Sequence, residues 1–433
     1  MSNDYKLSLP AAILININIM LGAGIFLNTV EVAKRAGVLG ALSYTFVGML
    51  LLPLIASIAA LMRLYPSGGF YTFAQQGIGT MAGFLNAWIY FTGKLASSTI
   101  IIHASVTTIQ QLIPVLASLN TFALDALILS LFIALNMLDI KAGSSIQKMF
   151  IFFKSLPILF AILVGLYLFN PGNLSEAHHL WQGFSSTFPL VLYATMGFEA
   201  TCSLSDKIKN PSVNGPIAIY TSYGIALLLI TLYQLAFYGA LGSDLLTFDT
   251  YRDAFPALCA RLVPGLPHAA QTIGGFFNIA IAISALGGAY GILFSNAWNL
   301  YTVARNKHIV GSAFFSRLNR YNIPFMCIIA EGVLSIIYLI ISQGNQVALQ
   351  QIAALSATIT YTISVLALLM VTKQRALPFR SLLLPLCGLV SCSLLVIRCV
   401  MGLIAVGTGV LALFATLLVI GLGMYHTALL AKS

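Results

Sequence analysis

Residues 19–26 read Ile19-Met20-Leu21-Gly22-Ala23-Gly24-Ile25-Phe26 and lie in the middle of the first long apolar segment of the chain. Two glycines flank a single alanine here, and each glycine weakens a helix interior by about 1 kcal/mol. The pattern therefore predicts a break in the helix. Close packing of neighbouring helices through small residues is the alternative explanation, because glycines are common on membrane helices for that reason.

A second segment of this kind occupies residues 193–200, which read Tyr193-Ala194-Thr195-Met196-Gly197-Phe198-Glu199-Ala200. Its glycine lies close to a carboxylate, which apolar surroundings penalise by a few kcal/mol. Because it falls five apolar segments after the first, the two segments would cross a membrane in opposite directions. Interrupted helices at matching positions of two antiparallel units predict an inverted repeat with a binding site between its halves.

The composition also points to a membrane protein. Of the 433 residues, 59% are apolar and only 7% are charged, whereas soluble domains have about 45–50% and about 25%. So few charges cannot cover a soluble protein of this size, which excludes an ordinary cytosolic enzyme and a disordered chain. The net charge of +10 does not indicate nucleic-acid binding, because Lys and Arg collect in the cytoplasmic loops of membrane proteins.

Apolar stretches of membrane-spanning length follow one another along the whole chain, and they predict an all-α polytopic protein with twelve transmembrane helices. They cover approximately residues 8–33, 36–62, 80–113, 121–138, 148–169, 182–205, 214–241, 268–303, 324–342, 350–371, 381–405 and 408–430.

The distribution of basic residues predicts the orientation. With the N-terminus inside, the inner segments hold 14 basic residues, namely Lys6, Arg63, Lys141, Lys148, Lys207, Lys209, Arg305, Lys307, Arg317, Arg320, Lys373, Arg375, Arg380 and Lys432. The outer segments hold only Lys34, Arg35, Arg252 and Arg261. The positive-inside rule therefore places both termini in the cytoplasm, and the short loops suit a bacterial inner membrane. The longest outer connection, about 243–267, could hold a short helix.

The predicted breaks carry the binding chemistry, because backbone groups without helical partners must be satisfied by protein, water or ligand inside a bilayer. N–H groups from Ala23 to Phe26 would face an anion at a helix N-terminus, and carbonyls near Met20 and Tyr193 would face a cation. Such a pair of sites fits the carboxylate and ammonium of a free amino acid. The predicted binding residues are Met20, Leu21, Gly22, Ala23, Gly24, Ile25, Phe26, Tyr193, Ala194, Met196 and Gly197.

Several motifs occur in order along the chain: Gly22-Ala23-Gly24-Ile25-Phe26, Tyr65-Pro66-Ser67-Gly68-Gly69-Phe70-Tyr71, Gly197-Phe198-Glu199, Lys209-Asn210-Pro211 with Pro216, and Val303-Ala304-Arg305-Asn306 with Asn319 and Ile323-Pro324. Together they resemble the amino acid–polyamine–organocation transporters over the whole chain. The resemblance implies a LeuT-like five-plus-five inverted repeat over 8–169 and 182–371, two peripheral helices over 381–430, and alternating access. It also implies that a bundle of spans one, two, six and seven moves against a scaffold.

The resemblance assigns roles to further residues. Members of this family without a sodium site often carry a lysine where Lys154 falls, with Ser284 and the carbonyls near Leu21 as its expected partners. We expect Lys154 to couple transport to a proton or to act as a fixed cation; a lysine reaching the cytoplasmic interface is the alternative. Tyr193 is expected to form part of a gate. At Ala289 no aromatic ring is present for cation–π recognition, which favours a neutral amino acid.

The other charged residues inside the spans have less specific predictions. Glu199 is expected to cap freed N–H groups of span six and to be a candidate proton carrier. Lys94 either reaches polar groups of the bundle or lies near the substrate pathway, where it would disfavour cationic side chains. His103 is expected to be a hydrogen-bonded core residue rather than a proton relay, and Glu331 and Arg398 are expected at packing or lipid-facing positions.

Other classes of function lack their residues. The sequence shows no nucleophile–base pair on facing helices, no ligand spacing for a metal, no phosphate-binding loop, no selectivity-filter repeat and no cysteine spacing that predicts a disulfide. We therefore expect neither an enzyme nor a cofactor. The predicted function is secondary transport of an amino acid, with a proton or by exchange, and the alternative is exchange of a cationic amino acid for its amine product. The expected partners are the small substrate, protons and the lipid bilayer.

Overall fold

The computed structural model describes residues 6–175 and 181–430, and these residues form helices joined by turns. Up to residue 184 the helices are α1 Leu9–Met20, α2 Ala23–Ala36, α3 Gly40–Leu64, α4 Gly69–Gly77, α5 Thr80–Leu112, α6 Pro114–Ala117, α7 Thr121–Asn136, α8 Ile140–Tyr167, α9 Gly172–Ser175 and α10 Trp181–Phe184. An isolated parallel bridge pairs Leu7 with Ile208.

The rest of the chain continues in the same way. Its helices are α11 Phe188–Thr195, α12 Ala200–Ser203, α13 Pro211–Leu241, α14 Ala254–Leu262, α15 Pro267–Arg305, α16 Ser312–Phe315, α17 Phe325–Ser342, α18 Gln346–Gln374, α19 Arg380–Val406 and α20 Thr408–Leu430. Single 3₁₀ turns lie at Gly37–Leu39, Ser185–Thr187, Ser205–Lys207, Gly242–Leu246 and Tyr251–Asp253.

Eight helical segments within the described residues are long and apolar enough to cross a membrane. The first, Leu9–Leu64, has 56 residues, which is enough for two crossings at 1.5 Å per residue. Three other predicted spans are not among these segments: α5 has 33 residues, α7 has 16, and span six is interrupted. The chain is thus an all-helical integral membrane protein, while the count of twelve crossings and the inverted repeat stay predictions.

The buried centre of the molecule is built around α15 and α18. In the most apolar 18-residue stretch of each helix, 78% of the residues are buried. Both pack along α5, and α1 packs against α8, α13 and α15. In the corresponding stretches of α19 and α20, only 28% and 22% of the residues are buried. The interrupted first helix therefore lies inside the bundle, while the last two helices face outward.

A short helix in the connection 243–267 is confirmed as α14. The Arg261 guanidinium at its end donates to the Ala240 and Leu241 carbonyls and lies 2.5 Å from the Asp244 carboxylate. These contacts fix α14 to the end of α13, since a guanidinium satisfies helix C-terminal carbonyls and a carboxylate together.

Candidate functional site

The first apolar helix is interrupted at Leu21 and Gly22, because α1 ends at Met20 and α2 begins at Ala23. The Leu21 N–H still donates to the Ile17 carbonyl at 2.9 Å, whereas no side chain caps the first turn of α2. The N–H groups that open α2, where the positive end of the helix dipole lies, are therefore not satisfied by a capping side chain.

Span six is interrupted in the same manner. Helix α11 ends at Thr195, Met196 is extended, and Gly197 has φ +130° before α12 begins at Ala200. A side chain at Gly197 would be strained at this φ, so a glycine is required at this point of the gap. Both helix breaks expected from the glycines are present in the structure.

The two gaps lie against each other. A Cβ atom at Gly24 would be 2.7 Å from Ala194 Cα, and a Cβ atom at Gly197 would be 2.9 Å from the backbone nitrogen of Met20. These glycines thus allow the two interrupted chains to approach closely, as the packing explanation also required. Close approach and helix interruption are therefore two uses of the same glycines.

Asn16 joins the parts of the two spans that face each other. Its side-chain nitrogen donates to the Phe198 carbonyl at 2.7 Å and to Ser222 Oγ at 3.1 Å, and its oxygen accepts from the Thr201 N–H at 3.2 Å. One amide thereby satisfies backbone groups that the gap in span six leaves without helical partners. We did not expect this role from the sequence, although an asparagine in an apolar helix was a visible signal.

A buried ion pair lies beside the gap in span six. Lys94 Nζ is 2.6 Å from Glu199 Oε1, the Tyr90 hydroxyl donates to the same oxygen at 3.3 Å, and the Gly197 N–H donates to Oε2 at 2.8 Å. Glu199 thus makes the predicted contact with a freed N–H. The sequence did not identify Glu199 as the partner of Lys94, because the two residues lie far apart in the chain.

Lys154 contacts the end of α1. Its Nζ donates to the Asn18 carbonyl at 2.5 Å and to Asn18 Oδ1 at 2.9 Å, while Asn18 also donates to Gln147 Oε1 at 2.5 Å. The expected partners were wrong: the contact is made at Asn18 rather than near Leu21, and the Ser284 hydroxyl has no hydrogen-bond partner among the described residues. The helical register of α8 explains this difference, since it points the lysine at the last turn of α1.

The location of Lys154 also differs from the prediction. A span over 148–169 would have Lys154 near its end, but α8 begins at Ile140, so Lys154 lies in the middle of the helix and is 1% exposed. The alternative of a lysine at the cytoplasmic interface is therefore wrong.

The predicted binding residues form one buried group. Met20 to Phe26 and Tyr193 to Gly197 are all buried, and the Tyr193 hydroxyl accepts a hydrogen bond from Ser97 Oγ at 3.4 Å. Span eight completes the arrangement, because Gly288 packs against Gly22. A Cβ atom at Gly288 would lie 3.2 Å from the Cα atom of Gly22. Ala289 is fully buried.

Three other predicted residues have clear surroundings. His103 Nδ1 lies 2.7 Å from Asp125 Oδ2, so the histidine is hydrogen-bonded as expected. Arg398 is half-buried on α19. Glu331 is fully buried, and neither of its oxygens has a hydrogen-bond partner of normal geometry among the described residues, although the Asn296 amide lies close by. A lipid-facing position for Glu331 is therefore wrong.

Tyr251, in the connection 243–267, covers the site at one end. Its hydroxyl lies 2.6 Å from Thr108 Oγ1, and together with Phe26 and Ser105 it encloses a cavity of about 10 Å³, close to the minimum for one water molecule. Burial raises the pKa of the Tyr251 hydroxyl, although the Thr108 hydrogen bond and the Arg252 guanidinium act in the opposite direction.

Comparison with known proteins identifies the family. The profile described as amino acid permease matches residues 7–425, which is nearly the whole chain. The chain belongs to the amino acid permease family. This family lies within the amino acid–polyamine–organocation transporters, so the resemblance seen in the motifs is confirmed, and the protein is a membrane transporter and not an enzyme.

Individual relatives are distant but cover much of the chain. An uncharacterised transporter of Mycobacterium tuberculosis is 24% identical over 94% of this chain and 89% of its own length. An aspartate-proton symporter of Bacillus subtilis is 24% identical over 73% of this chain and 63% of its own length. A low-affinity putrescine importer of Escherichia coli is 22% identical over 80% and 78%.

Proposed function

We propose that this permease carries an amino acid across a bacterial inner membrane by alternating access, coupled to a proton or to exchange. The proposal includes twelve spans with both termini in the cytoplasm. It divides them into a repeat over 8–169, an inverted repeat over 182–371 and two peripheral helices over 381–430. The observation that carries the proposal is the pair of adjacent helix gaps at Leu21–Gly22 and Met196–Glu199.

The substrate carboxylate would bind at the start of α2. The N–H groups of Ala23, Gly24 and Ile25 lie in the uncapped first turn of this helix, and a helix N-terminus stabilises an anion through its N–H groups and dipole. Gly24 leaves room for the chain of span six and would also let a carboxylate approach the backbone, because it carries no side chain.

The substrate ammonium would bind to carbonyl groups at the two gaps. Candidates are those of Met20, Leu21, Tyr193 and Met196, which lie at or beside residues outside regular helix. Anion and cation sites a few ångströms apart distinguish an α-amino acid from a simple amine, because an amine lacks the carboxylate. Tyr193, which is buried beside Gly24, would close over the bound substrate.

The charges near the site favour a neutral side chain. Lys94 and Glu199 neutralise each other at 2.6 Å, so neither is left to attract a charged substrate. We propose Lys154 and Glu199 as the residues that link transport to a proton or to substrate exchange, with Ser284 as a polar group near the path. The name of the Bacillus relative, an aspartate-proton symporter, supports proton coupling.

Exchange of a cationic amino acid for its amine is the second candidate. The relative named a putrescine importer favours it, since putrescine is such an amine. An amine would use only the carbonyl half of the proposed site, so its binding should not depend on the start of α2.

Uptake into proteoliposomes tests the proposal. A panel of radiolabelled neutral, acidic and cationic amino acids and putrescine is measured with and without a pH gradient, and with each unlabelled compound inside for counterflow. Saturable, counterflow-competent uptake of an amino acid supports a carrier. Conductance without saturation, or uptake of amines alone, would contradict the proposal.

Gly24→Ala tests the binding site itself. Its Cβ would lie 2.7 Å from Ala194 Cα, so the gap must shift and amino acid binding should fall strongly. Gly224→Ala is the matched control, because a Cβ there would meet no atom of the described residues within 4 Å. Both variants are compared by thermal unfolding and by ligand binding. Normal affinity in a folded Gly24→Ala protein would contradict the site.

A further inference from the structure

An apolar groove of about 450 Å³ lies between α5, α17 and α20. Phe91, Leu95, Val333 and Ile420 are among its walls, and the last two are 53% and 48% exposed. The groove is therefore open on the surface of helices that cross the membrane, where it faces hydrocarbon. Its apolar lining suits an acyl chain rather than a polar ligand.

A second cavity, of about 480 Å³, adjoins this groove because Ile309 lines both. Its walls include the basic residues Arg305 and Lys307 together with Ser312 and Thr427. An apolar groove thus continues into a second cavity at the end of α15, called here the basic pocket because Arg305 and Lys307 lie in its otherwise largely apolar wall. An apolar groove next to basic side chains is complementary to an amphipathic molecule with one anionic end.

The connection around the second cavity is strongly basic. Residues 305–320 contain four Lys and Arg residues and no Asp or Glu. Arg305 lies 3.7 Å from Asp206, and an exposed ion pair of this kind is weak. Lys307 forms no ion pair with any residue that the structure describes.

Lys307 also has an unusual backbone conformation, with φ +60° at the end of α15. Its N–H donates to the Ala304 carbonyl at 2.8 Å, which closes the helix. A glycine is the favoured residue in this conformation, so a lysine here costs stability. Such a cost at an exposed position is consistent with a use for the ammonium group.

We propose that the groove and the basic pocket together bind one anionic phospholipid, with an acyl chain between α5, α17 and α20 and its phosphate at Lys307 and Arg305. Basic pockets between transmembrane helices on the cytoplasmic side are suited to anionic head groups. The choice of a lipid over a second copy of this chain rests on charge complementarity, since the same connection in a second copy is equally basic and would repel.

Trp88 provides a reporter inside the groove. Its ring lines the cavity, and its Nε1 donates to the Leu417 carbonyl at 2.9 Å. A protein carrying Trp181→Phe and Trp298→Phe keeps Trp88 as its single tryptophan. In this protein, acyl-brominated phosphatidylglycerol should quench the fluorescence at a lower mole fraction than acyl-brominated phosphatidylcholine does.

Lys307→Gln should reduce the preference for phosphatidylglycerol about fivefold. Lys141→Gln, which removes an exposed lysine at the start of α8, should leave the preference unchanged. Ala330→Phe, which fills the groove, should reduce quenching by both lipids. Equal quenching by both lipids in the protein with Lys307 intact would overturn the proposal.

A second measurement does not require the tryptophan substitutions. Phosphatidylglycerol added to the wild-type protein in neutral detergent should raise the midpoint of thermal unfolding more than phosphatidylcholine does, and Lys307→Gln should remove the difference. The proposal would be overturned if phosphatidylglycerol and phosphatidylcholine differed in their effect on the unfolding midpoint as much in Lys307→Gln as in Lys141→Gln. Absent quenching together with a crosslinked dimer through α17 would assign the groove to a second copy instead.

Discussion

Lys94 and Lys154 are both buried lysines beside an interrupted helix, but their partners differ. Lys94 lies 2.6 Å from a carboxylate, whereas Lys154 donates to two oxygens of Asn18, both of which are neutral. Lys154 also lies at the C-terminal end of α1, where the helix dipole stabilises a cation. One site is therefore an ion pair, and the other holds a lysine against one backbone carbonyl and one side-chain amide oxygen.

This difference separates two kinds of function. A buried pair must break before either member can bind anything else, and breaking it leaves an uncompensated charge. A lysine held by neutral oxygens can change its hydrogen-bond partner or lose its proton without leaving an unpaired carboxylate behind. We therefore expect substitutions in the Lys94–Glu199 pair to reduce stability in addition to their effect on coupling through Glu199, and substitutions of Lys154 to affect mainly coupling.

The largest expected effect is that of Glu199→Ala. It leaves Lys94 buried without a counter-ion and the Gly197 N–H without its acceptor, so the free energy of unfolding should fall by about 3–5 kcal/mol. Thermal unfolding in detergent and the yield of folded protein measure this. The control is Glu31→Ala, which removes a partly exposed partner of Arg35 and should change stability by about 0.5 kcal/mol or less. Equal stability of the two variants would remove the distinction between the lysines.

Lys154→Ala should reduce gradient-driven uptake about 10- to 100-fold, since hydrogen bonds to a charged group contribute about 1.5–3 kcal/mol. Lys148→Ala removes an exposed lysine from the same helix and should transport normally. Uptake into proteoliposomes, normalised to folded protein, is the measurement. Full gradient-dependent uptake by Lys154→Ala would exclude this lysine from coupling.

The double variant Lys94→Met with Glu199→Gln should recover most of the stability that Glu199→Ala loses. Replacing both members of a buried ion pair is often neutral, whereas removing one leaves a buried charge. A double-mutant cycle on the unfolding free energy measures the coupling between the two positions. The double variant should lie within about 1 kcal/mol of the wild type; additive losses would mean that the pair contributes nothing as a pair.

Glu331→Gln should have the smallest effect. Glu331 is fully buried without the lysine that Glu199 has, and an unpaired polar group of this kind is costly. A glutamine has the same shape and no charge, so stability should stay equal or rise by up to about 1 kcal/mol. Thermal unfolding measures it, and a loss as large as that of Glu199→Ala would show that Glu331 has a cationic partner in the folded protein.

The interruptions themselves could be predicted from the sequence because their signals are local. Gly22 and Gly24 lie within three residues, and Gly197 lies two residues from Glu199, so a short window contains the complete pattern. Hydropathy likewise indicated the helical segments, since the length of an apolar run is also a local property.

Contacts between distant residues could not be predicted in the same way. Lys94 meets Glu199 across 105 positions, and Lys154 meets Asn18 across 136. Each pairing depends on the rotation of both helices, which a single sequence does not specify. The start of α8 was misjudged for a different reason: its first turns contain Lys141 and Gln147, which lower the hydropathy without ending the helix.

The short bridge at Leu7 has a mechanical consequence. Its N–H donates to the Lys207 carbonyl and its carbonyl accepts from the Lys209 N–H, while Asn16 holds Phe198 and Thr201. The segment before the first gap and the segment after the second are therefore fastened together at two points. The two segments would therefore move together as one rigid unit about the two gaps. A ligand or antibody that binds the chain near Leu7 would restrict the movement of both interrupted helices.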